Sequence, residues 1–175
     1  MSRKDALLRI HKSLVEKRDE LRRQLIRNVA DVVLERQLRS PLYDTMCGSL
    51  TGGSAADKLG AGYDVLAPGK RGCPYHFHHA QEEMFVILEG AGTLRVAGQM
   101  LPVRAGDVVV IPPGPAYPHQ FINSSDAQMC YLSISTKEYP EICEYPDSGK
   151  YMAYKGDFTG TQRVAANLDY WEGEP

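Results

Sequence analysis

Four of the five histidines, His76, His78, His79 and His119, fall between positions 76 and 119. His76 and His78 stand two apart in the run PYHFHHAQEEMF. In an extended strand alternate side chains share a face, so both imidazoles project the same way and His79 projects the other. The chain then turns, and Glu83 opens the next apolar stretch, so a hairpin returns its carboxylate beside the two rings. His119 follows the turn sequence PPGPAYP and belongs to a later strand. Where that strand neighbours the first pair, three imidazoles and one carboxylate converge. Neutral imidazole suits Zn, Cu, Fe and Ni, and a carboxylate hardens the set toward Mn and Fe. The expected cofactor is therefore one divalent transition metal held by His76, His78, Glu83 and His119. A single histidine would be read more simply as a satisfied core residue; four donors at this spacing favour a metal.

Strand parity supplies the neighbours. Phe85 shares a face with Glu83, and Phe121 shares one with His119, so both are expected to line the barrel interior. Tyr117 and Gln120 flank His119 and could reach a ligand. Arg95 lies on a strand and, facing inward, would bind a carboxylate bidentately; facing outward it is an ordinary surface arginine. Arg95, Phe85, Tyr117, Gln120 and Phe121 make the expected substrate-binding set. Tyr117 and Glu82 are the candidate acid–base groups, with Glu82 otherwise solvated. Asn123 is expected to anchor backbone near the His119 strand. Cys47, Cys73, Cys130 and Cys143 form no C-x-x-C pair, so reduced thiols are expected, with Cys73 and Cys130 packed as small apolar groups.

The elements that must position these groups are short strands. YDVLA, PYHFHH, EMFVILEG, GTLRVAG, QMLPVRAG, DVVVIPPG, HQFINSS and QMCYLSIST are each bounded by Gly, Pro, Asn or Asp, the spacing of an all-β sandwich or barrel. Residues 3–39 read as one long helix, with Leu7, Leu14 and Leu21 at heptad spacing and Ile10, Leu25, Val29 and Val32 beside them. The expected organisation is a helical segment over 1–40, a Gly/Ser-rich linker over 41–57, a barrel over 58–150, and a tail of loops over 151–175 that packs on it.

The stretch from Gly72 to Asn123 resembles the cupin superfamily. The first cupin motif is matched by His76-Phe77-His78, four residues, Glu83, six residues and Gly90. The second is matched by Gly106, five residues, Pro112-Pro113-Gly114, then His119, three residues and Asn123. Two spacings depart from the pattern: Gly72 stands closer to His76, and four residues rather than two separate Gly114 from His119. The resemblance is to a subgroup of small single-domain cupins, mostly uncharacterised. It implies a mainly β protein, a double-stranded β-helix (jelly-roll) barrel preceded by the N-terminal α-helix, with a metal in the barrel mouth.

Composition narrows the classes. The 175 residues are 43% hydrophobic and 24% charged, which excludes collagen-like and wholly disordered chains. Residues 1–40 carry 11 Lys/Arg against 6 Asp/Glu, and residues 41–175 carry 9 against 16. The basic segment offers one helix without a recognition helix after it, so nucleic acid is not an expected partner. No apolar run approaches the ~18 residues of a membrane span, and the first 25 residues lack the apolar core of an export signal, so a cytoplasmic protein is expected. Three functions stay open: a small metalloenzyme on an oxygen-rich metabolite, of dioxygenase or isomerase/lyase type; a non-catalytic small-molecule-binding module; and a regulatory protein acting through the helix. A homodimer is the expected assembly.

Overall fold

The structure is a computed structural model that describes residues 3–155 and 158–163. A helix, α1 (Arg3–Leu25), leads into thirteen strands. These are β1 (Glu35–Arg39), β2 (Tyr43–Ser49), β3 (Leu59–Leu66), β4 (Phe77–His78), β5 (Glu83–Glu89), β6 (Ala91–Val96) and β7 (Gln99–Arg104). They continue as β8 (Val108–Ile111), β9 (His119–Ile122), β10 (Met129–Thr136), β11 (Glu141–Tyr145), β12 (Lys150–Lys155) and β13 (Phe158–Arg163).

One antiparallel sheet runs β1-β2-β3-β10-β5-β8. The facing layer comprises β7-β6-β9 and β13-β12-β11-β4. His76 and His119 join these two parts by exchanging backbone hydrogen bonds of 3.1 and 2.7 Å. The result is the expected double-stranded β-helix. Alternation drives it: in β5, Phe85 and Ile87 are buried while Met84 and Leu88 face out. Leu66, Phe85, Ile87, Leu94, Phe121, Met129 and Tyr131 form the core between the layers. Phe121 packs against Phe85 and Tyr131 at 4.9 and 5.1 Å between ring centres. The β6–β7 hairpin turns on Ala97 and Gly98, both at positive φ (47° and 76°), the backbone that a two-residue hairpin with right-handed strand twist requires.

Both ends of the chain differ from expectation. The helix stops at Leu25, so Val29 and Val32 leave its seam, and the side chains of Leu7 and Ile10 lie outside the described ones. Val29–Asp31 form a single 3-10 turn capped by the Asn28 side chain, which accepts the Ala30 N–H. β-Branched Val29, Val32 and Val33 disfavour helix here. Glu35–Arg39 then pairs with β2, overriding the helix preference of Glu, Arg, Gln and Leu; Arg36 forks onto Asp44 with two bonds of 2.8 Å. Much of the expected linker is thus β2, a strand inside the sheet. The expected tail of loops over 151–175 contains most of β12 and all of β13 instead. Residues 164–175 lie outside the described residues. No helix among the described residues is long and apolar enough to cross a membrane.

Candidate metal centre

The four expected donors meet. β4 delivers His78, the chain just before it His76, β5 Glu83 and β9 His119. Glu83 Oε2 stands 3.1 Å from His119 Nε2, 3.7 Å from His78 Nε2 and 3.9 Å from His76 Nε2. The longer Gly114–His119 loop is absorbed without displacing His119, because its backbone is held to His76.

The far nitrogen of each ring is occupied. His76 Nδ1 lies 2.9 Å from the Pro74 carbonyl, His119 Nδ1 3.3 Å from the Tyr117 carbonyl, and His78 Nδ1 3.0 Å from Glu141 Oε1. All three acceptors lack a proton to give, so each ring donates from Nδ1 and turns an Nε2 lone pair inward. In neutral rings the inward atoms then face a carboxylate oxygen with no proton between them. Glu83 Oε2 and His119 Nε2 are buried without a hydrogen-bond partner. A cation would resolve that conflict: two donors each about 2.1 Å from one ion stand about 3.0–3.4 Å apart, the spacing found between Glu83 and His119. His76, Glu83 and His119 place one donor atom each within 4.8 Å of one another, and so do His76, His78 and Cys143.

The electrostatics agree. Burial, with His119 nearby, pushes His76 down to about 4, so its ring is neutral at pH 7. Burial acts to raise Glu83, but His119, His78 and His76 outweigh it and hold the carboxyl below its usual range. Burial pushes the Cys143 thiol up to about 12.

The second rank of expected residues is mostly elsewhere. Phe85 and Phe121 are buried as the apolar floor, with the Phe85 ring 5.5 Å from that of His119. Arg95 does not face inward. Leu94 and Val96 take the interior of β6, and Arg95 forks onto Asp147 at 2.6 and 2.8 Å while stacking 3.8 Å over Tyr75. Gln120 is buried on the outer side of β9, where its amide donates to the Cys73 carbonyl at 2.6 Å. Tyr117 touches the site through its carbonyl, and its side chain is exposed. Glu82 is solvated. His79 pairs with Glu144 on the outside at 2.7 Å. Cys130 is buried as expected, whereas Cys73 is exposed. Asn123 anchors backbone, donating to the Leu66 and Ala127 carbonyls.

Glu141 escaped sequence reasoning. Its carboxylate is 1% exposed and accepts the N–H groups of His79, Ala80 and Gln81 besides the His78 ring. No local pattern announces it, since its partners lie some sixty positions away.

Residues 62–135 match the family model of the cupin domain. That stretch is a cupin domain. The chain is 33% identical over 64 residues to an uncharacterized protein of Methanocaldococcus jannaschii, a match covering 37% of this chain and 50% of that one. The chain thus spans about half the length of that relative. Among solved structures it resembles a candidate sugar phosphate isomerase from Acidithiobacillus ferrooxidans, with a TM-score of 0.73 at 22% identity over 84% of this chain and 99% of that one. A sugar phosphate isomerase of the cupin superfamily from Silicibacter pomeroyi gives 0.69 at 21%, over 79% and 96%. A predicted oxalate decarboxylase from Thermotoga maritima gives 0.58 at 21%, over 65% and 100%. These likenesses concern the fold, and two different reactions are named among them.

Proposed function

We propose that this cupin is a metalloenzyme that takes a small oxygen-rich metabolite at a divalent transition metal held by His76, His78, Glu83 and His119. The supporting observation is the convergence of three Nε2 lone pairs on one carboxylate oxygen, with every far nitrogen fastened. Such a metal supplies Lewis-acid polarisation of a ligated oxygen, or dioxygen binding if it is iron. The chain's own part is to hold the donors and keep the rings in one tautomer. The Phe85–Phe121–Tyr131 floor dries one side of the centre, which strengthens each charge interaction there. Binding without turnover is the second reading, favoured by the exposure of Tyr117 and Glu82, the two acid–base candidates of the sequence.

Elemental analysis of the purified full chain beside His78→Ala tests the proposal. About one Mn, Fe, Ni, Cu or Zn per chain is expected, and its loss in the variant. Iron directs the search to dioxygenase chemistry, and manganese or zinc to isomerase or lyase chemistry. A chain that stays empty after incubation with each of these metals overturns the metal reading.

A further inference from the structure

The inner face of the larger sheet changes character at one level. Along β3 the inward positions pass from Leu66 to Asp64, Gly62 and Gly60, and along β10 from Tyr131 to Ser133 and Ser135. These positions pair across the sheet: Asp64 with Tyr131, Gly62 with Ser133, Gly60 with Ser135. Ser135 in turn pairs with Glu83, and Gly62 with Ser49 of β2. The glycines are needed there. A Cβ at Gly62 would lie 2.8 Å from Ser133 Oγ, and one at Gly60 would lie 3.0 Å from Ser135 Oγ.

The space so left is a cavity of about 370 Å³, near the lower end of the range for small-ligand sites. Ser49, Thr51, Ser133, Ser135 and Lys137 line it, and Glu83 connects it to the candidate metal centre. Its hydroxyls are set in complementary ways. Ser133 donates to Asp64 Oδ2 at 2.7 Å, which leaves its lone pairs to accept. Ser49 and Thr51 accept the Gly52 and Ala61 N–H groups at 2.8 and 3.2 Å, which leaves their protons to donate. A wall that both accepts and donates matches hydroxyl groups, each of which does the same. The Lys137 side chain lies along this wall, its Cε 3.6 Å from the Cβ position of Gly60. Among the described residues no carboxylate pairs with its ammonium.

We propose that this cavity binds a small polyhydroxylated metabolite bearing one anionic group, carboxylate or phosphate, with its hydroxyls on the serines and threonine and its anion on Lys137. The assignment rests on the metal reading only in placing the reacting end of that molecule beside Glu83. An apolar ligand would cover these hydroxyls without answering their remaining donors and acceptors, and a neutral polyol would leave Lys137 unanswered.

The test is calorimetric titration of the full chain with threonate, gluconate, ribose 5-phosphate, glucose 6-phosphate, neutral glucose, and succinate, which is anionic without hydroxyls. Metal content is measured alongside. At least one anionic polyol should bind about tenfold or more tighter than glucose and succinate, the worth of one charge-assisted contact. The preferred arm identifies the anion. Lys137→Met should erase the preference over glucose, and Gly62→Val should abolish binding while metal content stays at the parent level. Ser135→Val serves in place of Gly62→Val if that chain does not fold. The proposal is overturned if no anionic polyol binds, if succinate binds as well, or if these variants bind as the parent does. A chain without metal that still binds an anionic polyol, sensitive to Lys137→Met, removes the metal reading and leaves this one standing.

Discussion

Orientation of the three rings depends on what lies behind them. Glu141 is the one charged acceptor in that outer layer, and its buried carboxylate also ties down the turn after His78. Glu141→Gln keeps the shape but removes the charge and one acceptor oxygen. Metal affinity should fall about 10–100-fold, read by competition with a chromogenic chelator, with all four ligands still present. One of these rings, His76, sets an acid limit. His76 titrates at about 4 in the folded chain against an ordinary 6.5, because burial disfavours its cation. Between those values the unfolded chain binds more protons, so stability rises with pH through this window and is lost as pH falls from about 6.5 toward 4. Melting curves of chelator-treated protein should show that slope, and His76→Gln should flatten it.

Strand β5 places a candidate ligand, Glu83, two residues from a core aromatic, Phe85, and a single alternation serves both. Phe85→Ala should cost about 3–5 kcal/mol in denaturant unfolding, because a ring that is 6% exposed leaves a cavity beside His119 and Phe121. Elements of this kind were legible from the residues. Apolar alternation over β5 and β10, and the turn glycines Gly90, Gly106 and Gly114, all at positive φ, mark strands and their ends without help from the rest of the chain. The His-x-His pair and Glu83 were legible for the same reason, since neighbours on one hairpin need only parity. β1 and β2 were not, because their residues carry no apolar alternation. Pairing partners decide their state: Glu35–Arg39 would suit a helix, and Tyr43–Ser49 turns Thr45 and Cys47 toward the interior where a core strand would show Val or Ile. The side that Arg95 takes was not legible, because it depends on Leu94 and Val96 taking the other and because Asp147 waits far along the chain. Lys137 and the serines of β10 look like ordinary surface residues until β3 is laid beside them.

At the scale of the molecule, the outer face of the larger sheet bears Met84 and Leu88 on β5 and Val108 and Val110 on β8, from 40% to 57% exposed. Met84 pairs with Val110 on adjacent strands, so the four form one continuous apolar surface, the kind that marks an interface. Sedimentation should give a dimer, and Val110→Lys with Met84→Lys should give a monomer whose metal content is unchanged.

The cavity beside Glu83 has a neighbour of about 430 Å³ walled by Val33, Glu35, Cys47, Asp64 and Ser133. Two of those walls come from the stretch between the helix and β2, which supplies no metal donor. On the proposed reading, one part of the selectivity is encoded apart from the chemistry. A lineage would retune one side of the pocket by exchanging residues 33–64 while the His-x-His hairpin, the His119 strand and Lys137 pass unchanged from parent to descendant. Substrate range would then drift around a conserved reaction.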